Sequence, residues 1–431
     1  MFKRLKLQGW RQIDSLDIKF HPRLTVITGP NGSGKSTALS ILIRHFGYSR
    51  NLLSTPRQTK AGVIERIFSL FKSVNANIDG REVGEITYSN DQVSKLSLPN
   101  ETDVTYSLLV SQQLNVTGIH IDSHRPISTY KKMQILNLNA INIDGVQVGI
   151  NHIFQQYYNN GTRPGQDSVL DQIKMHLLYF VMFGYDSGPR VGTKLYREYF
   201  EEFQEILKKT LPKDLGYTGI SIVNNTEIVL NTVSGNFLID ACSGGILKII
   251  EVTWQIFFQS KAVEKFVVTM DEPENHLHPS MQRTFLSDLV EAFPTAQFIV
   301  ASHSPFIVTS VRDSSVYVLR YLDSEYEERG GATATRGADD LPGVFSGRRI
   351  RSEHLDTVNR AGTASEILRE VLGVPATIPE WAGERAKEIV ESYRGKELTS
   401  ASLDAMHDEL KSEGLVSEYP TAVFERSRDP S

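Results

Sequence analysis

A run of strand character, Leu24-Thr25-Val26-Ile27-Thr28, passes into Gly29-Pro30-Asn31-Gly32-Ser33-Gly34-Lys35-Ser36-Thr37 and then into a helical pattern, Ala38-Leu39-Ser40-Ile41-Leu42-Ile43. Strand, G-x-x-x-x-G-K-[ST] loop and helix in that order leave few folds open. The loop must turn at the end of a buried strand with a helix N-terminus aimed into it. Its glycines let successive backbone N–H groups curl around an anion, and the helix adds partial positive charge. In such a loop Lys35 reaches the β- and γ-phosphates of a nucleotide, and Ser36 ligates Mg²⁺. Gly29, Pro30, Asn31, Gly32, Ser33, Gly34, Lys35, Ser36 and Thr37 are therefore candidate nucleotide-binding residues.

Three further motifs follow in order. Asp240-Ala241-Cys242-Ser243-Gly244-Gly245 opens an apolar helix, where Ser243, Gly244 and Gly245 make a second candidate anion-binding N-terminus. Lys265-Phe266-Val267-Val268-Thr269-Met270-Asp271-Glu272 reads as a buried strand ending in two carboxylates. Asp271 suits the metal, as in a Walker B strand, and Glu272 suits a water aimed at the γ-phosphate. Finally, Gln297-Phe298-Ile299-Val300-Ala301-Ser302-His303-Ser304-Pro305 places His303 just after another buried strand, within reach of a γ-phosphate or the attacking water.

This ordered series resembles the ABC-type ATPase head, and within it the heads of the DNA-repair (RecF/SMC-like) and overcoming-lysogenization-defect families. The opening Leu5-Lys6-Leu7-Gln8-Gly9-Trp10-Arg11-Gln12-Ile13 is similar to the first strand of those heads, as are Asp271-Glu272-Pro273-Glu274-Asn275-His276-Leu277-His278-Pro279 and Ala301-Ser302-His303-Ser304-Pro305 to their later motifs. Compared with transporter heads, the segment Cys242-Ser243-Gly244-Gly245-Ile246 lacks the leading leucine and trailing glutamine. The resemblance implies an α/β, ABC-type P-loop head with ATP and Mg²⁺ as cofactors. It implies that Arg11 lies near the phosphates and that Lys35, Glu272 and His303 are catalytic. It also implies a homodimer with two sandwiched nucleotides, in which Ser243 of one subunit completes the site of the other.

The head motifs fall in 1–60 and 235–325, split by a long mixed α/β insertion over 61–234, a β arm plus a helical lobe; 326–431 is a linker and small helical C-terminal tail. Roughly 200 positions separate Lys35 from Ser243, room for a domain of its own. Within the insertion, periodicity predicts a helix over 61–74, strands over 84–98 and 105–121, helices over 150–158, 169–183 and 194–211, and strands over 216–238. No sustained heptads occur. Ile121-Asp122-Ser123-His124-Arg125-Pro126 reads as a turn, or as a contact to nucleotide or to a partner subunit, and the tyrosines of Gln155-Gln156-Tyr157-Tyr158-Asn159-Asn160 as core or as base-stacking groups. In the tail, Arg329–Gly337 reads as a linker and Arg348, Arg349 and Arg351 as a solvated basic cluster or phosphate contact. Helices are predicted near 363–372, 379–393 and 400–412.

A net charge of −5 argues against wholesale coating of nucleic acid, although a local groove for DNA stays open. Cys242 is the single cysteine, which precludes an internal disulfide and suits a reducing, cytoplasmic setting. No apolar run approaches the roughly 20 residues that span a bilayer, and Met1-Phe2-Lys3-Arg4-Leu5 leads straight into strand-like alternation, so neither membrane span nor signal peptide is expected.

The tail carries no Toprim-like acidic constellation, H-N-H pattern or zinc spacing. A head of this kind without its own nuclease resembles the ATPase subunits of bacterial anti-phage systems of the Septu type, which also occur in some retron operons. That layout implies an effector nuclease, such as an HNH protein, as partner, with a reverse transcriptase and its nucleic acid as a further one. The tail would be the docking piece. A DNA repair or recombination ATPase acting directly on DNA is the alternative. A transporter subunit fits poorly with the insertion and the signature, and a GTPase lacks an Asn-Lys-x-Asp motif.

Overall fold

The computed structural model describes residues 1–48, 51–58, 64–67, 82–99, 105–123, 130, 168–185, 193–224, 226–322, 349–355, 364–372, 379–393 and 399–415. Residues 124–126, 150–158, 159–160, 329–337 and 348, singled out above, lie outside them. Two units are distinguished, Met1–Ala361 and Gly362–Ser431.

The first unit is organised on an 11-stranded sheet. In chain order the strands are β1 (Phe2–Trp10), β2 (Ile13–Lys19), β3 (Leu24–Thr28), β4 (Leu52–Leu53), β5 (Thr55–Gln58), β6 (Ile64–Ile67), β7 (Glu82–Tyr88), β8 (Val93–Ser97), β9 (Thr105–Tyr106), β10 (Leu109–Val110), β11 (Gly118–Ile121), β12 (Tyr217–Val223), β13 (Glu227–Thr232), β14 (Gly235–Leu238), β15 (Phe266–Asp271), β16 (Ala296–Ala301), β17 (Ser315–Tyr321) and β18 (Ile350–Leu355). The large sheet runs β10-β8-β7-β1-β2-β18-β17-β3-β16-β15-β11. Strands β11, β15, β16, β3 and β17 are mutually parallel, and β3, β15 and β16 are buried along their whole length, as strands covered on both faces must be. From β18 to β10 the sheet continues with antiparallel pairs and one parallel pair, β18 with β2.

The sheet gathers strands from all three sequence segments. Strands β7, β8, β10 and β11 lie within 61–234, yet they extend the head sheet on both edges, and β18 lies within 326–431, yet it sits between β2 and β17. The first unit runs to Ala361. Where a helix is expected over 61–74, the described residues Ile64–Ile67 form a strand paired with Thr55–Gln58. Ile64 and Ile67 are β-branched, and an available ladder partner overrides weak helical spacing.

Helix α1 (Lys35–Ile43) follows the phosphate loop and packs on β11, β15 and β16. Helix α2 (Val169–Gly184) begins with a capping box between Ser168 and Asp171, and α3 (Thr193–Thr210) packs beside it. Helices α4 (Gly244–Ala262), α5 (Pro279–Ala292) and α6 (Pro305–Thr309) follow β14, β15 and β16. The three-stranded meander β12-β13-β14 occupies the expected β-rich return.

The second unit holds a short helical stretch over Ala364–Glu366 and Ile367–Val371, then α7 (Glu380–Ser392) and α8 (Ser400–Ser412), capped by Thr399. Ala382, Ala386 and Ile389 of α7 pack on Met406 and Leu410 of α8. Trp381 stays two-thirds exposed, at 67%. Among the described residues no helix is long and apolar enough to cross a membrane.

Candidate nucleotide site

Parallel register brings three of the four motifs to one sheet end. Asp271 is paired with Ala301, and Ala301 with Ile27, so the chain leaves β3, β15 and β16 at one level. Gly29, Glu272 and Ser302 therefore emerge side by side, at the carboxyl ends where open α/β sheets bind ligands. Thr28 Oγ1 donates to the Ser302 carbonyl at 2.8 Å and ties two of these exits together.

The phosphate loop needs its glycines. Gly29 has φ 142°, and a Cβ there would stand 2.5 Å from the Leu319 carbonyl oxygen. Gly32 and Gly34 adopt φ 77° and 91°, the left-handed region that L side chains disfavour. Lys35 is buried, and its Nζ donates to the Gly29 and Pro30 carbonyls at 3.0 Å each. Burial pulls its ammonium down to about 8, against the opposing pull of Asp271, Glu272 and Glu274. Ser33 is fully buried, whereas Ser36 and Thr37 are half-buried on the first turn of α1.

Two side chains grip the loop from distant segments. Gln12, in the β1–β2 turn, donates to the Gly32 carbonyl, and Tyr321, at the end of β17, donates to the Asn31 carbonyl at 3.2 Å. Arg11 occupies the same turn with φ 54°, and its guanidinium donates to the Leu53 carbonyl at 3.3 Å. Motif spacing carries no sign of Gln12 or Tyr321, since their partners lie about twenty and nearly three hundred positions away.

At the end of β15, Asp271 is buried and Glu272 turns into the left-handed region, φ 47°, which costs a non-glycine residue on the order of 1 kcal/mol. The Glu272 backbone N–H donates to the Ala301 carbonyl at 2.9 Å, and Asn275 Nδ2 donates to Glu272 Oε2 at 3.0 Å. His303 Nε2 stands 3.8 Å from Glu272 Oε1. Burial, then the Lys35 charge, lowers the imidazole from its usual value, with Glu272 and a Gly29 backbone hydrogen bond acting against them. His303 is thus mainly neutral at pH 7.

Glu274, two residues beyond Glu272, has a role that motif spacing does not reveal. Its Oε1 accepts from Ser302 Oγ at 2.8 Å and from the backbone N–H groups of His303 at 2.7 Å and Ser304 at 3.0 Å. The carboxylate thereby locks the His303 loop to the loop after β15. Burial raises its proton affinity, and these donors offset part of that rise. Farther on, His278 caps α5 through Ser280 and is engaged there.

The fourth motif is not brought to the phosphate loop by this register. Ser243 is the N-cap of α4, exposed and without a side-chain cap bond. A Cβ on Gly245 would come within 2.8 Å of the His276 carbonyl, so α4 starts packed on the loop after β15. Gly244 faces open space. Arg349 and Arg351 pair with Asp14 at 3.4 and 3.1 Å. Asp122 and Ser123 follow β11 at the same sheet end as Asp271.

A nucleotide with a divalent ion fits these residues. The glycine conformations leave backbone donors uncovered by any Cβ, and Lys35 supplies the buried cation. The Ser36 hydroxyl and the Asp271 carboxylate are hard oxygen donors of the kind Mg²⁺ takes alongside phosphates, in place of an all-protein cage. No group of three or more His, Cys, Asp or Glu forms such a cage among the described residues.

A model of the RecF/RecN/SMC N-terminal domain matches residues 1–323. The chain belongs to this family. As a RecF/RecN/SMC-type head it is an ABC-type α/β fold, and it also resembles the Septu protein PtuA of Bacillus thuringiensis, 22% identical over 346 residues, 77% of this chain and 81% of that protein. Two shorter matches are to the Retron Vc95 probable ATPase of Vibrio cholerae serotype O1 biovar El Tor, 36% identical over 61 residues, and the Retron Ec83 probable ATPase of Escherichia coli, 35% over 54. They cover 14% and 12% of this chain, and only 12% and 10% of those retron proteins. Among solved structures, the SMC head domain from Thermotoga maritima is 14% identical, with a TM-score of 0.36 over 75% of this chain and 95% of that one. The Pyrococcus furiosus Smc head domain bound to the C-terminal domain of ScpA is 15% identical, with a TM-score of 0.41 over 86% and 99%.

Proposed function

We propose that the chain binds and hydrolyses ATP as a nucleotide-sandwiched homodimer and, through that cycle, controls an effector nuclease in an anti-phage system. The observation that carries the ATPase reading is the convergence of Lys35, Glu272 and His303 at one sheet end beside the glycine loop. Similarity to PtuA over most of both chains, with short matches to retron ATPases, supports the defence setting.

The loop backbone and Lys35 hold the β- and γ-phosphates, and Lys35 neutralises charge that develops on transfer. Glu272, fixed by Asn275 and its own left-handed turn, orients the attacking water and accepts its proton. Neutral His303 hydrogen-bonds the γ-phosphate, in the place where Glu274 holds its loop. Ser36 and Asp271 would hold Mg²⁺, which supplies Lewis-acid neutralisation of the phosphates when bound. Ser243, exposed and uncapped, reaches the nucleotide of a second copy, so one chain alone binds ATP but turns it over poorly.

Affinity purification from the native gene neighbourhood tests the setting. A stoichiometric nuclease, with or without a reverse transcriptase and its nucleic acid, is the expected result. Recovery of the chain alone, with turnover stimulated by DNA, would favour a RecF/SMC-type ATPase acting directly on DNA, the reading that family membership supports.

A further inference from the structure

Lys174 and Asp240 form an ion pair away from the phosphate loop and nearly shut off from solvent. Nζ and Oδ1 lie 2.8 Å apart, with the side chains 1% and 5% exposed. Lys174 is on α2, deep in the long insertion, and Asp240 is in the 3-10 turn Ile239–Ala241 that delivers the chain to Ser243. The Cys242 N–H closes that turn on the Ile239 carbonyl at 3.2 Å. A lysine buried to this degree requires a charged partner, and Asp240 stands three residues before the signature serine.

Helix α2 is also joined by stacked rings to α4, the helix that Ser243 opens. His176 of α2 stacks on Trp254 of α4 at 5.9 Å and 14°, and Phe180 stacks on Phe258 at 6.0 Å and 14°. Helices α2 and α4 are thus packed face to face through these rings, and Lys174 holds the turn that leads into α4. Ser243 makes no cap bond of its own. Its position is set by the turn before it and the helix after it.

We infer that Lys174 and Asp240 are a positioning pair that holds Ser243 in register with helix α2, so that the pair sets whether the signature can complete the site of a second copy. The inference rests on the proposed role of Ser243 in completing the other subunit's ATP site. Neither Lys174 nor Asp240 is a catalytic residue; both act through the serine.

The test uses the full chain and separates the two nucleotide half-sites. Lys174→Met keeps its own phosphate loop, so binding of a fluorescent ATP analogue to dilute protein is expected to match wild type. Turnover at dimer-forming concentration is expected to fall about tenfold. Mixing Lys174→Met with Lys35→Ala is expected to raise turnover above that of either variant alone, because the hetero-pair joins an intact phosphate loop to an intact signature. The doubly changed Lys174→Met/Asp240→Leu chain leaves no lone buried charge and guards against simple unfolding; it should bind the analogue and show the same loss. Wild-type turnover in either variant, or a mixture that restores nothing, overturns the inference. A wild-type chain that binds ATP analogue but never turns it over removes the hydrolysis reading first, and this inference with it.

Discussion

His303 Nε2 and Glu272 Oε1 face each other at 3.8 Å, each on a different loop and each held by a third residue: Glu274 grips the His303 backbone, and Asn275 grips the Glu272 carboxylate. That separation is too long for a direct hydrogen bond and short enough for one phosphate oxygen or water to touch both.

Replacing Glu272 by Gln keeps the shape and the Asn275 contact but removes the proton acceptor. Steady-state phosphate release should fall by about 10²–10³-fold while ATP affinity is retained, and ATP-bound dimers should accumulate on size-exclusion chromatography. Unchanged turnover would assign the water to another residue.

Lys35→Ala should abolish the upward shift in melting temperature that ATP with Mg²⁺ gives the wild type, a loss of affinity of about 100-fold or more, since charge-assisted bonds to phosphate are lost. A retained shift would undo the phosphate-loop assignment.

The lowered Lys35 ammonium sets a pH dependence. Below about 8 it is charged in the free chain, so ATP affinity should be level there; above about 8 binding must take up a proton. Affinity should then decline by up to about tenfold per pH unit, as calorimetry in buffers of different ionisation heat would detect. For the ligand-free chain the sign is opposite. Between about 8 and the usual 10.5 the unfolded chain carries a proton that the folded one lacks, so this residue's contribution to stability rises with pH across that window.

Neighbouring glycines should behave differently. Gly245→Ala drives a methyl to within 2.8 Å of the His276 carbonyl and should cost about 1–3 kcal/mol in denaturant melts. Gly244→Ala meets open space and should melt like wild type, yet lower the turnover that depends on a second copy. Equal melting losses in both would mean that α4 starts elsewhere.

What could be read in the chain is what local chemistry dictates. Gly29 to Thr37, Asp271, Glu272 and His303 stand at spacings set by a strand end, and those strand ends meet in the sheet as β3, β15 and β16. The capped helix α2 and the tail helices α7 and α8 were legible from periodicity. Non-local pairing was not. Ile64–Ile67 has spacing that suits a helix, but its ladder partner is Thr55–Gln58. Strand β18 pairs with Ser15 and Tyr317, partners no window around it contains. Gln12, Glu274 and Tyr321 act through carbonyl and amide groups of segments that only the fold brings near.

Strand β18 has a practical consequence. It is a keystone, seated between β2 and β17 in the middle of the sheet and supplied from beyond residue 325. A chain shortened to end there would open a slot in the middle of the fold, with the backbone amides and carbonyls of β2 and β17 facing each other unbridged. Both motif-bearing halves would be intact on paper, and the product would stick to its neighbours.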